Sequence, residues 1–422
     1  MEKKKRGSFT GEIGFVLAAA GSAVGLGNLW RFPYLAAQYG GGIFILVYII
    51  LALTFGFTLM TTEIAIGRKT KLSPTRAYKE VDSKFGFIGP IAFIIPVIIL
   101  PYYCVIGGWV TKYVTVFAAG QNIAAAEDSF FGNFIGREYA PLIFFIIFLG
   151  LTSLIVISGV EKGIEKVSSY LMPALIVLAV IICIYVITIP GSSAGIKYYL
   201  LPDFSKFSFK TVCAAMGQMF YSLSIAMGIL VTFGSYMRKD TSIEDSTRNV
   251  EIFDTAIAMM AGLMIIPAVF AFSGGDPDTL QAGPSLMFIT IPKVLANMGF
   301  GTAVGILFFV LVLFAAVTSS IALTESAVST FEDELGWGRK KATVLTGVIM
   351  IALGTLSCLG YGPLDFVKII GMQFLDFFDF LTNSVMMPIA ALMTSLLVSR
   401  VIGVDKKRSA TARVLSEERK SL

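Results

Sequence analysis

The sequence predicts an all-α polytopic membrane protein of about ten transmembrane helices, built as two inverted repeats of five in which helices 1 and 6 are discontinuous. Three observations carry this. The 422 residues are 56% hydrophobic and only 14% charged, with a mean hydropathy of +0.80, where soluble domains carry about 25% charged residues. Apolar runs long enough to cross a bilayer recur along the whole chain. A bilayer core admits only helices or closed barrels, and runs this continuous are helices. Lastly, each half of the chain opens with an apolar run that glycines interrupt.

The spans fall at approximately 13–37, 42–66, 87–118, 140–158, 166–189, 208–236, 252–273, 300–330, 342–359 and 373–399. With the N-terminus inside, 25 lysines and arginines lie on the cytoplasmic side and 7 on the other, leaving Arg31 within the membrane. That bias predicts an even number of spans in a cell (plasma or inner) membrane, with both termini cytoplasmic. Residues 1–422 read as one integral membrane domain, with repeats at approximately 10–190 and 205–399 and a basic cytoplasmic tail at 400–422. Membrane lipid surrounds such a chain and the tail either is solvated or touches headgroups. The start, "MEKKKRGSFTGEIGFVLAAAG", has the basic head and apolar run of a signal peptide. No small-residue cleavage site ends it and the apolar character resumes past Arg31, so it reads as a retained first helix.

The two interrupted stretches are "GSAVGLGN" in span 1 and "GQMFYSLSIAMG" in span 6. Broken helices at corresponding positions of two halves point to a transporter with its site near the bilayer midplane. The first signal is strong. The second is weak: Gly217 and Gly228 bracket it, but nothing inside forbids a helix.

The stretch Gly25-Leu26-Gly27 is not a dinucleotide fingerprint, since Trp30 follows and no strand precedes it. Gly21 and Gly25 alone would also suit a small-residue packing face, which leaves Asn28 and Arg31 unexplained. A break in the helix accounts for all of them. Unwound carbonyls can hold a cation, amides at the start of the next half-helix suit a carboxylate, and Asn28 adds a hard oxygen ligand. Arg31 is too costly to leave unpaired in hydrocarbon.

Other intramembrane polar groups follow the same logic. Glu63 in "TLMTTEIAIGR" is either a proton carrier or an acceptor for backbone amides freed by the break in span 1. In span 8, Thr318 and Ser319 with the Ala315 carbonyl a turn earlier make half an oxygen cage for sodium, or hydroxyls bonded back to their own helix. Asp254 opens span 7, as a cap or a ligand. Asp376 and Asp379 share one face of span 10 and either can pair with Arg31. Tyr102 and Tyr103 read as packing aromatics.

Composition also excludes. Cys104, Cys183, Cys213 and Cys358 lie far apart in apolar runs, with no disulfide or metal spacing, and there is no histidine. The net charge of +5 follows the loops and gives no reason to expect nucleic acid.

The stretches "AAAGSAVGLGNLWRFPY", "GGG" at 40–42, "EIAIGR", "GQMFYSLSIAMG", "SYMRKD", "VTSSIAL" and "FEDELG" resemble the neurotransmitter:sodium symporter family, in particular its bacterial LeuT-like amino-acid transporters. The resemblance runs from about residue 6 to 399 and is weakest in spans 4, 5, 9 and 10. It implies two sodium sites. The first would use the Ala23 carbonyl, Asn28, Ser222 and a residue of span 7, for which Asp254 is the candidate, together with the substrate carboxylate. The second would use the carbonyls of Gly21, Val24 and Ala315 with the hydroxyls of Thr318 and Ser319. The implied substrate pocket is Ser22, Ala23, Leu26, Gly27, Ile99, Tyr103, Tyr221, Ser222, Ser224, Met227, Ser319 and Leu323, with Tyr103 on the substrate carboxylate. The implied outer gate pairs Arg31 with Asp379, or with Asp376, under a lid of Tyr103 and Tyr221. The implied inner gate pairs Arg6 with Asp333 near Tyr236.

Three departures from the family pattern matter. Relatives usually have eleven or twelve spans against ten here, which leaves the oligomeric state open. Ser222 stands where threonine is commoner. A carboxylate at 254 supplies beside the first sodium the negative charge that animal relatives often take from chloride, so chloride is not required. The expected function is sodium-coupled symport of a neutral, hydrophobic or aromatic L-amino acid by alternating access. A proton-coupled or exchange carrier of the same fold and a non-transporting sensor are the alternatives. With no histidine and no nucleophile–base constellation, an enzyme is not expected.

Overall fold

The structure, a computed structural model, describes residues 7–273 and 284–402. Among the described residues, eight helices are long and apolar enough to cross a membrane unaided: Gly42–Thr70, Ser83–Ala118, Ala140–Ile157, Val160–Ile187, Ile243–Phe272, Gly301–Leu335, Arg339–Leu359 and Phe374–Arg400. These are spans 2 to 5 and 7 to 10. Span 1 is a bent pair, Glu12–Ala23 and Gly27–Gln38, turned by 52° at its break. Span 6 is assembled from Phe209–Ser222 and Ile229–Tyr236.

Both breaks have a backbone cause. In span 1, Val24 leaves the helix with ψ near 97° and the chain re-enters through a π-helical turn at Gly27–Arg31. In span 6, Ser224, Ala226 and Gly228 adopt positive φ of 55°, 66° and 69°, which no α-helix accommodates. Left-handed serine and alanine cost energy and persist only where neighbours hold them. The weaker sequence signal thus marks the longer break, because no residue type there advertises the strain.

Hydropathy located every span but not every end. Span 7 begins at Ile243 rather than 252. Its first turns are charged and held by Arg248 reaching back to Glu244 at 3.2 Å and Asp245 at 3.8 Å, so the helix extends past its apolar window. Asp254 therefore lies in the helix interior and does not open it.

Spans 3 and 8 pack on each other and are 72% buried, whereas spans 4 and 5 are 33% buried and turn their apolar faces outward to lipid. The two broken helices cross at the centre. The second half of span 6 lies against span 2 without side chains between them: a Cβ on Gly67 would meet the Val231 carbonyl oxygen at 1.9 Å, and one on Gly234 the Ile64 oxygen at 2.3 Å. The chain from Gly7, the 71–82 connection and Asp333 gather at one end, termed the N-terminal face. The residues around Asp128 and Lys293, which pair, lie at the far face.

Candidate functional site

Asp254 is fully buried within span 7, and three donors from three other elements converge on its carboxylate in four hydrogen bonds. Asn28 Nδ2 reaches Oδ1 at 2.7 Å, Tyr48 OH reaches Oδ2 at 3.0 Å, and Ser222 Oγ reaches both oxygens at 2.9 and 3.0 Å. Asn28 Nδ2 also touches the Asp254 carbonyl at 3.3 Å. Asn28 Oδ1 in turn accepts the Gly25 amide at 3.1 Å, which ties the carboxylate to the break in span 1. A charge at this depth requires such a full set of partners.

Span 8 supplies a second oxygen cluster beside the same break. Ser319 Oγ lies 3.2 Å from the Gly21 oxygen, 3.0 Å from that of Ser22 and 3.2 Å from that of Val24. Thr318 Oγ1 bonds back to Phe314 and Ala315, at 3.1 Å each. A Cβ on Gly21 would meet Thr318 Cβ at 3.1 Å, so the glycine brings the two helices into contact. The threonine bonds back to its own helix, and the serine faces the unwound carbonyls of span 1.

Between the two clusters is a small cavity. Ser22, Ala23, Leu26, Gly27, Ile99, Tyr103, Tyr221, Ser222, Ser224, Met227, Ser319 and Leu323 all line it, joined by Gly25, Asn28 and Ile229. The lining holds no charged side chain. Its polar edge is the span 1 break: Tyr103 OH accepts the Leu26 amide at 3.2 Å, and the Ser22 and Ser224 hydroxyls meet at 3.1 Å. Ser222 and Ser319 add hydroxyls from spans 6 and 8, and Ile99, Tyr221, Met227, Ile229 and Leu323 make the aliphatic and aromatic walls. Gly25 is needed here, since a Cβ would lie 2.6 Å from Ser319 Oγ and 2.9 Å from Tyr103 OH.

A sodium:neurotransmitter symporter profile matches residues 6–125 and 134–419. The chain belongs to that family. It is 35% identical over 406 residues to the uncharacterized sodium-dependent transporter YhdH of Bacillus subtilis, covering 94% of this chain and 88% of that one. An uncharacterized sodium-dependent transporter of Haemophilus influenzae is 31% identical over 425 residues, covering 97% and 92%. Among solved structures, MhsT in complex with L-phenylalanine superposes with a TM-score of 0.86 at 36% identity, covering 94% of this chain and 90% of MhsT. The fold is thus the LeuT-type fold of this symporter family, and the chain is one of its sodium-dependent multi-span members.

The gate residues are placed differently from the sequence expectation. Arg31 and Asp379 form no direct ion pair among the described residues. Gln218 intervenes: Arg31 Nη1 bonds its Oε1 at 3.2 Å and the Gly217 oxygen at 3.4 Å, and Gln218 Nε2 bonds the Gly27 oxygen at 3.0 Å. Arg31 also stacks 5.5 Å from the Tyr221 ring centroid. Asp379 accepts from Asn383 Nδ2 at 2.6 Å and Tyr102 OH at 3.3 Å instead, while Asp376 is exposed at the start of span 10. A guanidinium over an aromatic face with a neutral amide partner is satisfied without a carboxylate.

At the N-terminal face, Arg6 lies outside the described residues. Asp333 accepts the Ser73 amide at 2.7 Å. Tyr236 OH donates at 2.6 Å to Glu325, which is paired with Arg339. Glu325, like Glu63, is a carboxylate within an apolar span, and that cost is its signal in the sequence. Glu63 Oε1 accepts the Ala226 amide at 2.9 Å. The backbone it satisfies belongs to the break in span 6, not span 1, because span 2 packs along the second half of span 6.

Proposed function

We propose that the chain is a sodium-coupled symporter for a neutral, hydrophobic or aromatic L-amino acid. The observation that carries this reading is the cavity itself, which sits at both helix breaks, is polar where serines of spans 6 and 8 face the span 1 break, has aliphatic and aromatic walls, and is free of charged side chains. An α-carboxylate suits the exposed amides of the break and Tyr103; an apolar side chain suits Leu26, Ile99, Met227 and Leu323. The structure of MhsT with L-phenylalanine supports the aromatic end of that range.

The donor sets fit alkali cations, which take hard oxygen ligands. One sodium would be held by the Ala23 carbonyl, Asn28, Ser222 and Asp254, completed by the substrate carboxylate. A second would be held by the carbonyls of Gly21, Val24 and Ala315 with Thr318 and Ser319. Sharing a ligand makes coupling reciprocal: the substrate strengthens sodium binding by the factor that sodium strengthens substrate binding. The fixed charge of Asp254 makes chloride unnecessary. Alternating access moves spans 1, 2, 6 and 7 against the rest, with the N-terminal face cytoplasmic and the chain in the cell membrane. Arg31, Gln218 and Tyr221 close the far side, together with Asp379; Tyr236, Glu325 and Arg339 close the near side, where Asp333 is the acid that Arg6 would pair with.

Uptake of labelled leucine, tyrosine, phenylalanine and tryptophan into proteoliposomes tests this. Uptake in a sodium gradient that vanishes in potassium is expected, and equal uptake in the two buffers overturns it.

A further inference from the structure

Glu251 takes part in none of the contacts described above. It is 4% exposed, its Oε1 is buried with no hydrogen-bond partner, and it joins no ion pair among the described residues. The nearest basic residue in sequence, Arg248, is committed to Glu244 and Asp245. An unpartnered carboxylate at this burial is costly unless a counter-charge visits it.

Its place on span 7 shows which charge that is. Thr247, Glu251 and Asp254 stand at i, i+4 and i+7, on one face of the helix. All three are buried, Thr247 and Asp254 completely. At 1.5 Å per residue, Glu251 lies about 4.5 Å along the axis from Asp254, and Thr247 about 6 Å further toward the N-terminal face. Glu251 is within electrostatic range of both Asp254 and Tyr48, the tyrosine that donates to Asp254. The face therefore presents a file of hard oxygens leading from the central carboxylate toward the start of span 7, in which Thr247 bonds back to the Ile243 oxygen at 2.8 Å and the Glu251 carboxylate pairs with no basic side chain among the described residues. Hard oxygens without soft ligands suit a hard cation, and sodium is the one that Asp254 is read as holding.

We propose that Glu251 is a way-station for sodium, taking the cation that leaves Asp254 and passing it along span 7 to the N-terminal face. This rests on the reading of Asp254 as a sodium ligand. Glu251 does not hold the cation at rest; it lowers the barrier to its departure by offering an anionic ligand about 4.5 Å along the helix from Asp254.

The test uses radiolabelled sodium alone, on the full chain in lipid nanodiscs, measuring equilibrium binding and release after dilution. In Asp254→Asn, one component of sodium binding is expected to disappear. In Glu251→Gln, that component keeps its affinity but is released about tenfold more slowly, and Glu251→Asp, which keeps the carboxylate, restores the wild-type rate. Thermal midpoints of all three variants show that the comparison is between folded proteins. Release unchanged in Glu251→Gln while Asp254→Asn loses its component overturns the way-station alone. Sodium binding unchanged in Asp254→Asn overturns the reading on which it rests. A Glu251→Gln variant that releases sodium normally but loses a pH dependence of binding makes Glu251 a proton site and also overturns the proposal.

Discussion

Ser222 donates to both carboxylate oxygens of Asp254, at 2.9 and 3.0 Å, and so ties the last turn before the break in span 6 to the middle of span 7. Asn28 ties the same carboxylate to the break in span 1. One side chain thus contacts both discontinuous helices.

Asp254→Asn keeps the shape of this node and removes its charge. Hydrogen bonds to charged groups contribute about 1.5–3 kcal/mol each, and the cation loses its fixed anionic ligand as well. Sodium affinity measured through substrate binding is expected to fall at least about tenfold. Wild-type uptake is expected to be the same in chloride and gluconate. If the carboxylate replaces an external anion, the residual activity of Asp254→Asn will be greater in chloride than in gluconate, and an equal loss in both argues against that role.

Gly25→Ala tests the tightness of the cavity. The new methyl would lie 2.6 Å from Ser319 Oγ and 2.9 Å from Tyr103 OH, both held by the unwound backbone of span 1. Neither is the free end of a flexible side chain, so the methyl displaces groups assigned to sodium and substrate. Equilibrium binding of L-phenylalanine in saturating sodium is expected to be lost while the thermal midpoint moves little. Overpacking at such sites typically costs about 1–3 kcal/mol.

Glu63 separates the two coupling schemes. Its Oε1 holds the Ala226 amide at 2.9 Å, in a residue strained to a φ of 66°, and its Oε2 is buried without a partner. Glu63→Ala orphans the amide and is expected to destabilise the protein by about 1–3 kcal/mol. Glu63→Gln keeps an acceptor and is expected to retain sodium-driven uptake with its wild-type pH profile. Loss of that profile in the glutamine variant would establish the proton-coupled alternative.

The central site was more legible than its gates, for a physical reason. Glycines, Asn28 and Asp254 stand out because each is expensive inside a bilayer unless something uses it, and cost is visible in one residue at a time. Tyr48 and Gln218 carry no such cost. They are ordinary membrane-compatible side chains whose roles come from what the fold brings to them across more than 180 residues, at Asp254 and Arg31 respectively. The break in span 6 was faint for the same reason: its strain lies in the φ of Ser224 and Ala226 and is held by Glu63 from another helix. Helix ends failed where charge extended a helix beyond its apolar window, as in span 7.

The buried pair Glu325–Arg339 carries an asymmetric prediction. Glu325 is fully buried, while Arg339 keeps 20% exposure, lies 3.7 Å from a second carboxylate, that of Glu332, and donates to the Val156 oxygen at 2.7 Å. Removing the arginine therefore strands a carboxylate that has only Tyr236 left, at 2.6 Å. Removing the glutamate's charge leaves the arginine with Glu332 and some solvent. Breaking a buried pair from one side costs about 3–5 kcal/mol, whereas replacing both partners by apolar groups is often neutral. Arg339→Met is expected to lower the thermal midpoint further than Glu325→Gln, and Glu325→Leu/Arg339→Met to recover much of the difference. Because Tyr236 ends span 6, the single variant should also loosen the N-terminal face, read as faster labelling of a cysteine introduced at Ser329, buried in span 8 near Thr232. Equal midpoints for the two single variants would mean that Glu325 is already satisfied without the arginine.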